Sequence, residues 1–250
     1  MTPRVRVLLV GAAGRMGQTI KRIAESQAET TITAECDLGD ILDHSILHCD
    51  VVIDFSHADA TERNCAACIA SEKPLVIGTT GHTPAQVKLI EDTAKSVPVL
   101  LAANFSVGVN TLFWLTRKAA ELLGPGFDLE VVEMHHRLKK DAPSGTAKRL
   151  AQILSEVRGL EYDKHVTHGR EGQVGERPAE QIGVHAIRGG DVVGDHTVVF
   201  AAPGERLELT HKASSRETFA IGALRAARWI VGRPAQLYSM EDVLGLSAPK

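Results

Sequence analysis

The chain has 250 residues and a mass of 26.9 kDa, a length that fits either one α/β domain or two modest ones. Its 44% hydrophobic and 24% charged residues are ordinary for a soluble globular protein, and its net charge of −3 disfavours nucleic-acid binding. No apolar run approaches the roughly 18 residues of a membrane span, and the N-terminus lacks a signal-peptide layout, so we expect a cytoplasmic protein without a nucleic-acid or membrane partner.

The first 106 residues alternate between apolar, β-branched segments and segments with helical spacing. RVRVLLV ends in a glycine turn, after which Met16, Ile20 and Ile23 recur at helical spacing. Nearly continuous apolar strands that alternate with helices indicate a parallel sheet covered on both faces. The predicted strands are 4–10, 30–37, 50–56, 74–81 and 97–106, and the predicted helices are 15–27, 57–72 and 84–96.

The glycine turn GAAGRMG, from Gly11 to Gly17, follows the first strand and opens the first helix. Glycines there let the backbone turn tightly and let a pyrophosphate approach the N–H groups of the helix N-terminus. Asp37 follows Gly17 at about the distance, roughly 20 residues, expected for a carboxylate that binds ribose. The spacing is G-x-x-G-x-x-G rather than G-x-G-x-x-G, so a glycine turn without a ligand is the alternative.

Two later strand ends fall at the same carboxyl edge of the predicted sheet. They are GTTG, residues 78–81, and AANFS, residues 102–106. Open parallel sheets bind ligands at this edge. Small residues beside the large apolar ring of Phe105 suit a nicotinamide, although GTT is also compatible with an ordinary turn.

The alternating pattern changes after Ser106. Two further helices with a strand between them are followed by a polar, glycine-rich segment that we interpret as loops, and then by alternating strands joined by Gly-Gly-Asp and Pro-Gly-Glu turns. These features predict a central α+β domain with an antiparallel or mixed sheet, while a helical tail completes the first domain. The predicted ranges are helices at about 109–123 and 144–157, a strand at 129–136, loops at 159–180, strands within 181–213, and domains of 1–106 with 216–250 and of 107–215.

The stretch EVVEMHHRLKKDAPSGTA concentrates the polar chemistry of this second domain. Successive side chains of a strand face opposite sides, so His135 and His136 cannot form a two-histidine metal site together. We therefore expect no metal. One histidine faces the site and the other packs behind it. A purely structural role for a lone histidine is the alternative.

The next helix begins within the same stretch, with Asp141 or Ser144 as its predicted N-cap. Gly145 in the first turn lets an anionic group approach the free N–H groups of the helix. Basic side chains nearby can bind a second anionic group and supply protons. The stretch thus predicts a small substrate with two carboxylates; a solvated basic loop before a well-capped helix is the alternative.

The run from Glu133 to Ala147, E-x-H-H-x-x-K-x-D-x-P-S-G-T-A, resembles the signature of the 4-hydroxy-tetrahydrodipicolinate (dihydrodipicolinate) reductases of lysine and diaminopimelate biosynthesis. GAAGRMG, IDFS, VIGTTG, AANFSVGVN, GDHTVVF and HKASSR resemble other blocks of that family in the same order. The resemblance covers nearly the full chain. It implies a Rossmann-type dinucleotide-binding domain, a central substrate domain whose sheet builds a homotetramer, and reduction of a cyclic imine with NADH or NADPH.

The same resemblance implies roles for individual residues. His135 is similar to the proposed proton donor or acceptor and Lys139 to the general acid, while His136, Gly145 and Thr146 are similar to the contacts with the substrate carboxylates. The implied cofactor contacts are Gly11, Ala12, Ala13, Gly14, Arg15, Met16, Asp37, Gly78, Thr79, Thr80, Ala102, Ala103, Asn104 and Phe105.

NADH is the expected preferred cofactor. Asp37 can accept hydrogen bonds from both ribose hydroxyls, whereas a 2′-phosphate would bring negative charge against its carboxylate. Leu38 stands next to the acid, where NADPH-favouring relatives often have arginine, and His57 stands where some relatives have arginine. Arg15 is a possible phosphate partner, so NADPH is not excluded.

Two other functions compete with this one. The chain could be a different NAD(P)-dependent reductase or dehydrogenase that acts on an amino or keto acid, or a regulatory module that senses NAD(P)H without turnover. Lys139 beside a dicarboxylate pocket argues against a sensor, which needs no proton donor. The four cysteines, including the C-x-x-C pair Cys65 and Cys68, are expected to be buried free thiols rather than metal or redox sites.

Overall fold

A computed structural model describes residues 4–37, 39–42 and 44–246. It divides the chain into two compact units, one made of Met1–Val107 with Glu217–Lys250 and the other of Gly108–Arg216. These limits differ by one residue from the domain ranges drawn from the sequence.

The first unit is built on a six-stranded sheet whose neighbouring strands are all parallel, in the order β11-β5-β4-β3-β1-β2. The expected parallel sheet and its strand and helix alternation are confirmed. The elements are β1 (Val5–Val10), α1 (Arg15–Ser26), β2 (Thr30–Cys36), β3 (Val51–Asp54), α2 (Thr61–Ala70), β4 (Leu75–Ile77), α3 (Pro84–Thr93), β5 (Val99–Leu101), α7 (Glu217–Ile230), β11 (Leu237–Tyr238) and α8 (Met240–Leu244), with single 3-10 turns at Ile46–His48 and Ala58–Ala60.

Both faces of this sheet are covered, because its strands carry apolar side chains on both sides. Val7 and Leu9 of β1 pack in a core that includes residues of α1 and α7. Leu8 and Val10 point to the other side and pack with residues of α2 and α3. That second core also contains the four cysteines, which are buried free thiols, as expected.

The C-terminal tail was predicted to be wholly helical, and this is wrong for one short segment. Helix α7 ends at Ile230, and Gly232 then adopts a positive φ of 75°. Leu237 and Tyr238 form β11, which pairs in parallel with β5. A glycine in the left-handed region and a proline two residues later stop the helix, so the tail can supply an edge strand.

The second unit has a five-stranded mixed sheet in the order β10-β9-β6-β8-β7. Strand β6 pairs in parallel with β8 and antiparallel with β9, which settles the expectation of an antiparallel or mixed sheet in favour of the mixed one. The elements are α4 (Val107–Leu123), a 3-10 turn at Gly124–Gly126, β6 (Asp128–His135), α5 (Gly145–Arg158), α6 (Tyr162–His165), β7 (Val166–His168), β8 (Ile182–Arg188), β9 (Gly194–Ala202) and β10 (Glu205–Ala213).

The interpretation of residues 159–180 as loops is wrong at two places. Gly159, at φ 64°, ends α5, and the chain then forms the short helix α6 and the three-residue strand β7. Strand β7 exists because it pairs with β8, in the register Val166 opposite Ile182. A partner in another part of the chain, rather than local pattern, therefore creates it.

One face of the mixed sheet packs on α5, and strand periodicity decides which side chains lie there. In β6 the buried residues are Leu129, Val131, Glu133 and His135, at every second position. Leu129 and Val131 join the core beneath α5. Glu133 and His135 continue the same row, so the carboxyl end of β6 carries polar groups on a buried face.

Candidate active site

The glycines of the turn between β1 and α1 place no side chains over its backbone. Gly11 has a φ of 85°, and a Cβ there would overlap the carbonyl oxygen of Phe55. A Cβ on Gly17 would overlap the carbonyl oxygen of Gly11. Gly14 is the N-cap of α1 and provides no side-chain cap, so the first N–H groups of the helix are available to an anion. These residues fit the pyrophosphate of a dinucleotide.

Asp37 follows β2 directly and lies at this turn. Both of its carboxylate oxygens accept from the backbone N–H of Ala13, at 3.1 Å each. The structure thus brings together the turn and the acid that the sequence placed 20 residues apart. Arg15 is the exposed first residue of α1. Leu38, used above in the argument on cofactor preference, lies outside the described residues.

Strand β4 lies between β3 and β5, so the carboxyl ends of these three parallel strands follow one another along one edge of the sheet. A Cβ on Gly78 would overlap the ring of Phe55, whose centroid lies 5.4 Å from that of Phe105. The Asn104 side chain accepts from the Ser106 N–H at 2.9 Å. The other expected contacts at this edge are Thr79, Thr80, Ala102 and Ala103.

Two residues that organise this edge were not singled out from the sequence. Asp54 is 1% exposed, and its carboxylate accepts from Thr79 Oγ1 at 2.9 Å and from Asn64 Nδ2 at 2.9 Å. Phe55 packs against both Gly78 and Phe105. An acidic residue at the end of an otherwise apolar strand, in IDFS, was the available signal.

His135 ends β6 and is 9% exposed. Its Nδ1 lies 2.6 Å from Oε2 of Glu133, which is fully buried. Burial alone raises the pKa of the Glu133 carboxyl, but hydrogen bonds from Arg188, His135 and the Ser144 N–H outweigh it and leave that pKa lowered. Glu133 is therefore a carboxylate that accepts hydrogen bonds and donates none.

His136 lies just beyond the strand. Its backbone N–H donates to Val192 O at 2.7 Å, and its Nε2 lies 3.5 Å from Nη2 of Arg216. His135 and His136 are thus held by different partners. Arg216 was not singled out from the sequence beyond its place in HKASSR.

Lys139 lies in the turn between β6 and α5. Its Nζ is 2.8 Å from Oδ1 and 2.9 Å from Oδ2 of Asp141. The hydrogen bond and charge of Lys139 lower the pKa of the Asp141 carboxyl. The expected proton donor is therefore an ammonium group already paired with a carboxylate, with 21% of its side chain exposed.

The N-terminus of α5 completes the cluster. Ser144 is the N-cap, one of the two predicted choices, and its Oγ accepts from the Ala147 N–H at 3.2 Å. Gly145 and Thr146 are the first two residues of the helix, and the first turn of a helix is where anions commonly bind. A Cβ on Gly145 would meet nothing within 4 Å, so this turn is open to an approaching group.

His196 is a further buried group that the sequence did not single out. Its Nε2 lies 3.0 Å from Ser144 Oγ, and its ring packs edge-on against that of His135 at 5.1 Å between centroids. Burial, followed by the charge of His135, lowers the pKa of His196 to about 3. His196 is therefore a neutral ring behind the cluster. His196 lies in the block GDHTVVF, but no local sequence pattern indicates its contacts with Ser144 and His135.

The ranges that the structure describes are 4–37, 39–42 and 44–246. Across those ranges, no group of three or more His, Cys, Asp or Glu side chains is arranged to hold a metal ion. The helices in the same ranges are all too short or too polar to cross a membrane.

Comparison with known proteins matches both units. The family model described as dihydrodipicolinate reductase, N-terminus, matches residues 5–105, and the one described as dihydrodipicolinate reductase, C-terminus, matches residues 108–244. The 4-hydroxy-tetrahydrodipicolinate reductase of Akkermansia muciniphila is 57% identical over 97% of this chain and 99% of its own length. The enzyme of the same name from Syntrophotalea carbinolica is 44% identical over 97% of this chain and 99% of its own length.

A solved structure has the same fold. The dipicolinate-bound dihydrodipicolinate reductase from Paenisporosarcina sp. TG-14 superposes with a TM-score of 0.77 at 25% identity, covering 94% of this chain and 97% of that one. Both family models and near-full-length relatives agree, so this chain belongs to the dihydrodipicolinate reductase family.

Proposed function

We propose that this chain reduces 4-hydroxy-tetrahydrodipicolinate to tetrahydrodipicolinate with NADH or NADPH, in the pathway to diaminopimelate and lysine. Water leaves the hydroxyl-bearing carbon of the ring, a hydride adds to the resulting conjugated double bond, and a proton completes the reduction. The bound nicotinamide supplies the hydride. Family membership and the close full-length relatives support this activity.

The contacts of Glu133 support the proposal most directly. The Glu133 carboxylate contacts both His135 and the N–H of Ser144, which joins the end of β6 to the start of α5. The proton-transfer candidates and the anion-binding helix terminus therefore lie in one cluster of the second unit. The Paenisporosarcina protein is described as bound to dipicolinate, a ring with two carboxylates, which supports the same ligand class here.

Within this cluster the roles divide by chemistry. The N–H groups of Gly145 and Thr146 bind one carboxylate of the substrate, and His136 binds the other. Lys139 donates a proton as general acid, and His135 donates or accepts one. Holding both carboxylates fixes the ring in one orientation, and such positioning lowers the barrier to reaction.

The first unit provides the cofactor site. The bare N-terminus of α1 binds the pyrophosphate, Asp37 binds the ribose hydroxyls, and the segments after β4 and β5 hold the nicotinamide. We infer that NADH is preferred, because the Asp37 carboxylate repels a 2′-phosphate, while Arg15 leaves NADPH usable.

We further propose that the enzyme is a cytoplasmic homotetramer. Four buried free thiols are typical of a reducing compartment. The sheet face opposite α5 carries Val132, Val199 and Ile187, the last of which is 46% exposed. Exposed apolar side chains on a sheet face are common at contacts between protein chains, which supports the proposed assembly.

The deciding experiment follows NADH and NADPH absorbance with freshly prepared product of the aspartate-semialdehyde condensation. Substrate-dependent oxidation of cofactor is the expected result, and dipicolinate is expected to inhibit it competitively. Binding of NADH without turnover would instead indicate a sensor. Turnover with amino or keto acids but not with the ring would indicate a different reductase on the same fold.

A further inference from the structure

We propose that Glu133 is a positioning residue of this site. Its carboxylate holds His135 as the Nδ1–H tautomer and fixes the His135 ring relative to the N-terminus of α5. The inference rests on the role proposed for His135. It assigns to Glu133 an action through its neighbours rather than contact with the substrate.

The surroundings of the Glu133 carboxylate leave it only one way to bind His135. Oε2 contacts His135 Nδ1 at 2.6 Å and accepts from Arg188 Nη1 at 2.8 Å. Oε1 accepts from the Ser144 N–H at 3.0 Å and from Arg188 Nη2 at 2.9 Å. A buried carboxylate paired with a guanidinium stays ionised and can only accept. The proton between the two side chains therefore belongs to Nδ1 of the histidine.

The second ring nitrogen is left for the reaction. Within the described residues, Nε2 of His135 has no hydrogen-bond partner, and it lies next to the backbone of Gly194. A Cβ on Gly194 would lie 2.9 Å from Nε2, so only glycine leaves that side of the ring clear. Proton transfer at Nε2 requires that Nδ1 keep its proton, which is what an acceptor at Nδ1 ensures.

The same carboxylate also fixes the neighbouring anion site. Ser144, whose N–H donates to Oε1, is the N-cap of α5, so its position sets the direction of the first-turn N–H groups of Gly145 and Thr146. Arg188 also donates a hydrogen bond to the carbonyl oxygen of Asp141, at 2.7 Å. Glu133 and Arg188 together therefore hold the histidine, the preceding turn and the helix start in one arrangement.

The alternative to a positioning role is that Glu133 and Arg188 form a buried ion pair that only stabilises the fold. Glu130 provides a matched comparison, because it lies on the same strand, faces the opposite side, and pairs with Arg170, Arg177 and His185. Burial raises the pKa of its carboxyl, but those hydrogen bonds bring it down to about 2. Glu130→Gln thus removes an equally well-paired carboxylate that does not contact His135.

The test is nitrogen-15 NMR of the histidine rings in alkaline buffer, where ordinary imidazoles are neutral. The His135 signals are assigned by their loss in the His135→Asn variant. The wild-type protein is expected to show His135 as the Nδ1–H tautomer, with a preference of about tenfold or more, as a charge-assisted hydrogen bond provides. Glu133→Gln is expected to give a mixture of tautomers, and Glu130→Gln to leave the wild-type spectrum of His135 unchanged.

Kinetics supplies a second measurement. Glu133→Gln is expected to lower kcat/KM for the ring substrate at least tenfold while the Kd for NADH stays the same, since the dinucleotide residues belong to the other unit. An Nε2–H tautomer in the wild-type protein overturns the proposal, even if Glu133→Gln does not fold. A wild-type tautomer retained in Glu133→Gln also overturns it. A wild-type protein with the Nδ1–H tautomer but no turnover of the ring would refute the proposed function and leave the positioning role standing.

Discussion

Lys139 and Asp141 form an ion pair across a single intervening residue, with Nζ 2.8 Å from one carboxylate oxygen and 2.9 Å from the other. The carboxylate is the more exposed partner, with 60% of its side chain accessible against 21% for the lysine. The ammonium group is thereby held in the turn before α5 rather than extended into solvent. The position of the Lys139 ammonium group is therefore already restricted by Asp141.

Replacement of Lys139 by alanine is expected to lower kcat by 10²- to 10⁴-fold, the usual loss when a general acid is removed. Binding of NADH, measured by fluorescence titration, is expected to be unchanged, because the expected cofactor contacts lie in the other unit. Lys140→Ala is the matched control, since it removes the adjacent and exposed positive charge. A Lys139→Ala enzyme with near wild-type kcat would show that the general acid is another group.

His196 predicts a dependence of stability on pH. Its pKa is about 3 in the folded chain against an ordinary 6.5, so between these values the unfolded chain binds a proton that the folded chain does not. The free energy of unfolding is therefore fully retained above about pH 6.5 and falls as the pH is lowered toward 3. At about pH 5, the His196 ring alone is expected to have lowered the free energy of unfolding by roughly 2 kcal/mol.

Urea titrations of the wild-type protein and His196→Gln at about pH 7 and about pH 5 measure this contribution. The variant is expected to lose less stability between the two pH values than the wild-type protein. His168→Gln, which removes an exposed histidine, serves as the control and should behave as the wild type does. Equal losses in wild type and His196→Gln would mean that His196 is protonated in the folded chain as readily as in the unfolded one.

Cofactor preference is expected to favour NADH, and the comparison is kcat/KM for both cofactors at fixed ionic strength, because salt screens the phosphate charge. Asp37→Asn removes the carboxylate that contacts the glycine turn and is expected to raise the NADPH to NADH ratio. Arg15→Ala is expected to lower that ratio if this side chain binds the 2′-phosphate. A tenfold preference of the wild-type enzyme for NADPH, about 1.4 kcal/mol, would contradict the role given to Asp37.

The proposed homotetramer is expected to scatter light as a particle of about 108 kDa at micromolar concentration, four times the chain mass of 26.9 kDa. Val199→Glu places a charge on the sheet face opposite α5 and is expected to reduce that mass. Val174→Glu is the control, since Val174 is 56% exposed and lies outside the strands. A wild-type mass of one chain would refute the assembly.

Local patterns predicted most of the fold. The apolar strand before GAAGRMG and the helix after it were correct, and so was Ser144 as a helix cap, because turn and cap preferences act within a few residues. The strands β7 and β11 were missed. Each has three residues or fewer and exists only because a distant strand pairs with it.

The candidate site shows the same division. The sequence singled out His135 and Lys139, which lie close together in the chain. It did not reveal that Arg188 and His196, more than 50 residues further on, contact Glu133 and Ser144. Those contacts arise from the pairing of β6 with β8 and β9. The register between strands that are distant in the sequence cannot be predicted from local periodicity.

Helix α7, strand β11 and helix α8 belong to the first unit although they follow the second unit in the sequence. Strand β11 closes the open edge of β5, and Gly222 of α7 lies so close to Phe105 that a Cβ there would overlap its carbonyl oxygen. During synthesis on the ribosome, Gly108–Arg216 emerges as one uninterrupted segment, whereas the first unit is complete only after Glu217–Lys250 has followed. A premature stop codon after Arg216 would therefore remove α7, β11 and α8 from the first unit and leave every residue of the second unit in place.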